Sequence, residues 1–288
     1  MKQYILDSFV SKKGGGNKAA VVLDDKGLTE KEMKDIARYN NLSETAFISM
    51  KKSSYPDFTI RYFTPTEEVD ICGHAALASF YILDKLGFLK GDEAFHLTKA
   101  GRLKVIRKED IFLIEMKEPE IAGYAEIDDV ERITSLKKDD IIPDMNGKIS
   151  IVSTGLKDAI IEVTDLMILK NMKIKKEEMI AFCNSKSIVG AHVVSRETLE
   201  EDSDFSCRNF APAYGIDEES ATGTSNASLV FYIKNLAINK IRKNQFKIEQ
   251  GYFMDSPSNI YVFNDEKEPN RLYVGGKAQI IETQQLNY

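Results

Sequence analysis

Two stretches of the chain, Ala75 to Leu86 and Ser225 to Leu236, are apolar on nearly every face. A surface helix keeps its polar residues to one side, so these two predict long helices enclosed by other elements. Elsewhere the apolar runs are short and uniform or alternating, the pattern of strands. Lys18-Ala19-Ala20-Val21-Val22 and Ser43-Glu44-Thr45-Ala46-Phe47-Ile48 are two of them. Between them Thr29-Glu30-Lys31-Glu32 is a capping box, opening a helix with Met33, Ile36 and Ala37 on one face.

The pattern occurs twice. Lys157-Asp158-Ala159-Ile160-Ile161, a helix near Lys176 to Asn184 with Met179, Ile180 and Phe182, and the strand Ile188 to Val194 repeat the same order. Arg61-Tyr62-Phe63-Thr64-Pro65 precedes Cys72-Gly73-His74, and Arg208-Asn209-Phe210-Ala211-Pro212 precedes Thr222-Gly223-Thr224. A spacing of about 145 residues is that of a duplicated domain. The predicted class is α+β: two pseudo-symmetric domains, each a curled, mostly antiparallel sheet around a central helix. The domains are expected over residues 1–120 and 121–288, with the last strand, near Ala278 to Glu282, returning to either half. A cleft between two such halves is the natural binding place. No GxGxxG opens a helix, so a dinucleotide-binding fold is disfavoured; Gly14-Gly15-Gly16 runs into a strand and reads as a turn.

Composition narrows the classes. The 288 residues carry 39 Lys and Arg against 45 Asp and Glu, a net charge of −6, which argues against a nucleic-acid partner. Lys170 to Lys176 is mixed in sign with its surroundings and reads as a solvated face. Asp7 interrupts the opening apolar run and Ile71 to Leu83 is too short to span a bilayer, so neither a secretory leader nor a membrane is expected. Three cysteines without a CxxC pair suggest reduced thiols and a cytoplasmic location. His74, His96 and His192 lack metal-ligand spacing, and no metal is expected.

Both glycine turns, Cys72-Gly73-His74 and Thr222-Gly223-Thr224, lie where a strand becomes a helix. Glycine admits close approach of a ligand, and free amides at a helix start attract anions, so these turns suit a substrate carboxylate. The alternative is a pair of turns that only the fold needs. Glu44 shares a strand face with Ala46 and Ile48. If that face looks inward, burial should raise its pKa toward that of a general acid/base. The repeat has Val189 at or next to its place, so the fold does not require an acid there; the alternative is a strand-end glutamate in solvent. His74 at a helix start is expected to remain a neutral donor. Cys72 is the alternative base, its pKa expected to fall beside the helix amides. Its counterpart, Thr222, argues against proton exchange through two cysteines. Glu219 is the acid nearest the second turn. Arg61 and Arg208, being duplicated, read as structural, pairing with carboxylates at the domain seam. Cys183, Cys207, His96 and His192 read as core, structural or exposed residues.

Taken together, these segments resemble the PhzF-like, phenazine-biosynthesis family. Asp7-Ser8-Phe9, Gly16-Asn17-Lys18-Ala19, Asn41-Leu42-Ser43-Glu44-Thr45, Glu68-Val69-Asp70-Ile71-Cys72-Gly73-His74 and Glu249-Gln250-Gly251 carry the likeness, in order along nearly the whole chain. The resemblance implies the diaminopimelate epimerase-like fold and a cofactor-independent isomerase. Glu44 would be its general acid/base, with His74 and Glu219 orienting a small cyclic or amino-acid-like carboxylate held at Gly73, Gly223 and Thr224. Departures fall mainly in the second half. Asn226 stands where relatives often have histidine, Glu219 where they have aspartate, and Met254-Asp255-Ser256-Pro257-Ser258 lacks a common arginine. The reaction type therefore carries over more firmly than the substrate. The rivals are a Cys72-based epimerase, racemase or dehydratase of the same superfamily and a non-catalytic binding protein on this fold. An exposed sheet edge would allow a homodimer.

Overall fold

The two stretches apolar on every face are helices, Gly73–Lys85 and Gly223–Asn235. Both begin at the glycine of their turn, because Cys72 and Thr222 before them are extended, with φ −139° and −127°. The computed structural model describes residues 1–265, 267, 268 and 270–286. The chain divides into two units, Met116–Val274 forming one and Met1–Glu115 with the segment from Gly275 forming the other.

The N-terminal unit contains β1 (Lys2–Ser8), β2 (Asn17–Asp24), α1 (Glu30–Asn40), β3 (Glu44–Ser49) and β4 (Asp57–Phe63). It continues through β5 (Glu68–Val69), α2 (Gly73–Lys85), β6 (Glu93–Thr98), β7 (Gly101–Lys108) and β8 (Ile111–Glu115). The second unit contains β9 (Glu120–Ala125), α3 (Ile127–Ile133), β10 (Ile141–Ile142), β11 (Ile149–Ser153), β12 (Lys157–Val163) and α4 (Leu166–Asn171). It then runs through α5 (Lys176–Lys186), β13 (Gly190–Ser195), β14 (Phe205–Ala211), β15 (Ile216–Glu219) and α6 (Gly223–Asn235). β16 (Gln245–Gln250), β17 (Ser258–Asn264) and β18 (Leu272–Gly276) precede the final strand, β19 (Ala278–Gln285).

Strand order repeats with strand sense. The first sheet runs β19-β1-β2-β3-β4-β6-β7-β8, antiparallel except at β2–β3 and β4–β6. The second runs β9-β11-β12-β13-β14-β16-β17, antiparallel except at β12–β13 and β14–β16. β5 and β15 lie antiparallel on β4 and β14 as matching short hairpins. β19 pairs with β1, returning the end of the chain to the first sheet.

Each long helix is enclosed by its own sheet. α2 packs on β1, β2, β3, β8 and β19 and buries Leu77, Phe80, Ile82 and Leu83. Phe80 meets Phe58 edge-to-face at 5.9 Å, an arrangement worth about 1 kcal/mol beyond its buried area. α6 packs on β11, β12 and β17. The capping box is formed: Glu32 N–H donates to Thr29 Oγ1 at 3.3 Å, and Thr29 N–H donates to the Glu32 carboxylate at 2.8 Å. Among the described residues no helix is long and apolar enough to cross a membrane.

The ladders align the copies residue by residue. Thr45 faces Phe63 and Ala191 faces Phe210, so the counterpart of Glu44 is Gly190. A Cβ at Gly190 would stand 1.9 Å from the Phe210 carbonyl oxygen. The second copy thus has no room for any side chain where the first carries its carboxylate. The helices differ too. Ala19, Ala46, Tyr62, Ala75 and Ala76 in the first core become Asp158, His192, Asn209, Ser225 and Asn226 in the second, all buried.

Candidate active site

In the N-terminal unit three strands converge on the first turn of α2. Ser8, the last residue of β1, donates through Oγ to the His74 carbonyl at 2.7 Å. Asn17, opening β2, brings Nδ2 to 3.4 Å from His74 Nδ1. Ala19 of β2 pairs with Glu44 of β3, which fixes the start of β3 beside the helix. Ser43 Oγ is then 3.2 Å from His74 Nε2, and Glu44 Oε2 is 3.1 Å from the same nitrogen. Cys72 Sγ stands 3.4 Å from His74 Nδ1 and 3.8 Å from its Nε2. Donor atoms of Glu44, Cys72 and His74 all fall within 4.8 Å of one another.

The charges differ from the expectation drawn from the sequence at all three residues. Burial does push the Glu44 carboxyl up, but His74 beside it, helped by Ser43 and Cys72, outweighs burial and holds it below its ordinary value. Burial disfavours the His74 imidazolium, yet Cys72 and Glu44 together push its pKa well above the usual histidine value. It is therefore a charged partner and not the neutral donor that the helix dipole alone would leave. Burial and the Glu44 charge push the Cys72 thiol up, so helix-start amides do not make it a thiolate. The arrangement is a half-buried carboxylate paired with a buried imidazolium, with the buried Cys72 side chain alongside.

Gly73 is not required by packing or backbone. Its backbone is not left-handed, and an added Cβ would meet no heavy atom within 4 Å. Gly16 contrasts with it: φ is +106° and a Cβ would stand 2.7 Å from the Ser8 carbonyl oxygen, so that glycine lets β1 and β2 close together.

In the second unit Glu219 and the glycine turn form one hydrogen-bonded group. Thr222 Oγ1 donates to Glu219 Oε2 at 2.5 Å. Gln250 Nε2 donates to the Glu219 carbonyl at 2.8 Å and to Thr222 Oγ1 at 3.0 Å. Asn226 Nδ2 donates to Gln250 Oε1 and to the Thr222 carbonyl, both at 2.8 Å. Thr154 Oγ1 donates to the carbonyl of Thr224 at 2.9 Å. Gln250 was not singled out from sequence, although the Glu249-Gln250-Gly251 motif was the available signal. Gly251 beside it has φ +76°, and a Cβ there would press on the Ser256 and Ser220 carbonyls at 2.3 and 2.8 Å. Ser8, Asn17 and Ser43 likewise enter only through the fold.

A buried polar chain lies behind this turn. Ser225 Oγ donates to Asp158 Oδ2 at 2.6 Å, and Asn209 Nδ2 donates to Ser225 Oγ at 3.1 Å. Asn209 Nδ2 also lies 3.2 Å from His192 Nδ1. Burial raises Asp158 to about 6 and lowers His192 to about 4. The duplicated arginines are clamps within their own hairpins and not across a domain seam. Arg61 takes Glu68 through two contacts of 2.7 Å, and Arg208 takes Glu218 at 2.9 and 2.7 Å. His96 and His192 are both fully buried. Cys183 and Cys207 are buried core thiols, and all three cysteines are free.

A doubled α+β fold whose strands deliver side chains to the start of an enclosed helix defines the diaminopimelate epimerase-like class. Within it, the phenazine biosynthesis-like (PhzC-PhzF) family model matches residues 6–284, and the chain belongs to that family. An uncharacterized isomerase of Clostridium acetobutylicum is 34% identical, covering 98% of this chain and 97% of its own. The crystal structure of the Bacillus anthracis phenazine biosynthesis protein, PhzF family, superposes with TM-score 0.85 at 26% identity, covering 100% of this chain and 99% of that one. A hydroxyproline epimerase from Agrobacterium vitis, 10% identical with TM-score 0.60 over 99% of this chain and 92% of its own, shares the fold.

Proposed function

We propose that this protein is a cofactor-independent isomerase that moves a proton on a small cyclic or amino-acid-like carboxylate, with Glu44 as general acid/base. The Glu44–His74 pair at 3.1 Å, its imidazole buried and its carboxylate half-buried, is the observation that carries this reading. A carboxylate held ionised in a half-buried site is available as a base and still exchanges its proton with solvent. Glu44 takes a proton from a substrate carbon, leaving an enol or dienol, and delivers a proton, exchanged in part with solvent, to another carbon of the same molecule. His74 offsets the carboxylate charge and orients it while the proton is away. Gly73 leaves room for the substrate to approach the helix start. In the second unit Glu219, Gly223 and Thr224 are assigned to substrate binding, the two backbone amides suiting an anion.

The protonated Cys72 thiol favours Glu44 over Cys72 as the base. Free cysteines support a cytoplasmic setting, and self-association through a sheet edge would make a homodimer. Proton NMR in heavy water tests the reading, with dihydro-hydroxyanthranilate, diaminopimelate, proline and hydroxyproline as candidate substrates. Wild type and Cys72→Ser should place deuterium on a substrate carbon. Glu44→Gln should lose at least about a hundredfold in rate. Exchange that survives Glu44→Gln and stops in Cys72→Ser would move the protein to the thiol-based epimerases. Binding without exchange in any variant would mark a non-catalytic binding protein.

A further inference from the structure

The atoms that meet at the start of α2 are also a ligand set. Glu44 Oε2 to His74 Nε2 is 3.1 Å, and His74 Nε2 to Cys72 Sγ is 3.8 Å. Tetrahedral zinc holds oxygen and nitrogen at about 2.0 Å and sulfur at about 2.3 Å, which puts neighbouring ligands roughly 3.3 to 3.6 Å apart. The two edges through Nε2 are within a few tenths of an ångström of those values, and all three ligand atoms lie within 4.8 Å of one another. Glu44 Oε2 is buried and faces His74 Nε2 at 3.1 Å, so this oxygen is already turned toward the group. The histidine spacing held no such signal, because the carboxylate arrives from a different strand than the Cys-Gly-His turn.

We propose that Glu44, Cys72 and His74 capture a zinc-type divalent cation as three protein ligands, with the fourth position open to water or a small anion. One carboxylate, one imidazole and one thiolate match a borderline-soft ion. Magnesium or calcium would find a single carboxylate among the three groups. Capture is ligand exchange without redox: the metal–sulfur bond forms as the thiol proton leaves to solvent, and the metal–nitrogen bond forms as the His74 imidazolium also releases its Nε2 proton to solvent. Resting on the isomerase reading above, the ion ties up the Glu44 carboxylate, so zinc switches proton transfer off.

Cobalt(II) is the direct probe, because a tetrahedral thiolate site gives visible d–d bands and a near-ultraviolet sulfur-to-cobalt band. Wild type should bind one cobalt per chain, and zinc should displace it. Cys72→Ser should lose the sulfur band, and Glu44→Gln and His74→Asn should each weaken binding at least about tenfold. Cys183→Ser and Cys207→Ser should leave the spectrum unchanged. As a check that needs no folded variant, zinc should protect Cys72 of the wild type from iodoacetamide, mapped by mass spectrometry. An absent sulfur band in wild type, a band that survives Cys72→Ser, or alkylation of Cys72 at the same rate with zinc overturns the site. Deuterium exchange read in parallel separates the two ideas. Cobalt binding without Glu44-dependent exchange sinks only the isomerase reading, and exchange without cobalt binding sinks only the metal site.

Discussion

Oε2 of Glu44 lies 3.1 Å from Nε2 of His74, and this pair sets the charge of the candidate site. Its partners enter from three strands and one helix start, so no local stretch of chain could have shown the pairing. The pair predicts a bell-shaped pH dependence of exchange. The acid limb should lie below the ordinary glutamate value of 4.5, and the alkaline limb above the ordinary histidine value of 6.5. His74→Asn should remove the alkaline limb. It should also move the acid limb upward, because burial then acts on Glu44 without the opposing charge. Stability follows the same signs. The Glu44 contribution is present above its unfolded value and lost as pH falls through the depressed folded one. The His74 contribution is present below its unfolded value and lost as pH rises through the raised folded one. Rate profiles of wild type and His74→Asn decide it; an acid limb that stays in place would remove His74 as the cause.

Gly73→Ala separates a site role from a fold role. Nothing stands within 4 Å of the added Cβ, so the variant should fold with stability unchanged or raised by up to about 1 kcal/mol. Exchange should nonetheless fall, because the methyl occupies the approach to the helix start. A variant that melts early would return this glycine to the fold.

Gly190→Ala should do the opposite. The Phe210 carbonyl oxygen sits 1.9 Å from where the Cβ would be, and relief requires β13 and β14 to part. A loss of about 3 kcal/mol or more is expected, read as a shift of the urea midpoint. A second acid cannot be installed at this position for the same reason.

Asp158→Asn should stabilise the protein at alkaline pH. Asp158 is pushed from 3.8 to about 6 by burial, so the folded chain keeps a proton that the unfolded one releases. The stability linked to that proton is present below the unfolded value and is lost as pH rises through about 6. The amide keeps an acceptor for Ser225 and has no charge to bury. The gain should be on the order of 3 kcal/mol at pH 8 and vanish at pH 4. Urea titrations at both pH values measure it, and equal midpoints at pH 8 would contradict the buried-charge account.

Periodicity and repetition determined the architecture in advance. Two helices apolar on all faces can only be enclosed, a capping box opens a helix wherever it occurs, and duplicated motifs imply duplicated topology. These features are local in sequence, so they are legible there. The resemblance of the motifs also identified the family, which the family match bears out. Tertiary structure decided what depends on distance and solvent. It determined that Glu44 is ionised against His74, that Cys72 keeps its proton and that Arg61 and Arg208 clamp their own hairpins. It also determined that Gly190 admits no side chain. Each of these follows from the sum of burial and neighbouring charge or steric contact in space, and residues 7 to 30 positions apart in the chain acquire those neighbours only when the strands pair and the sheet closes around the helix.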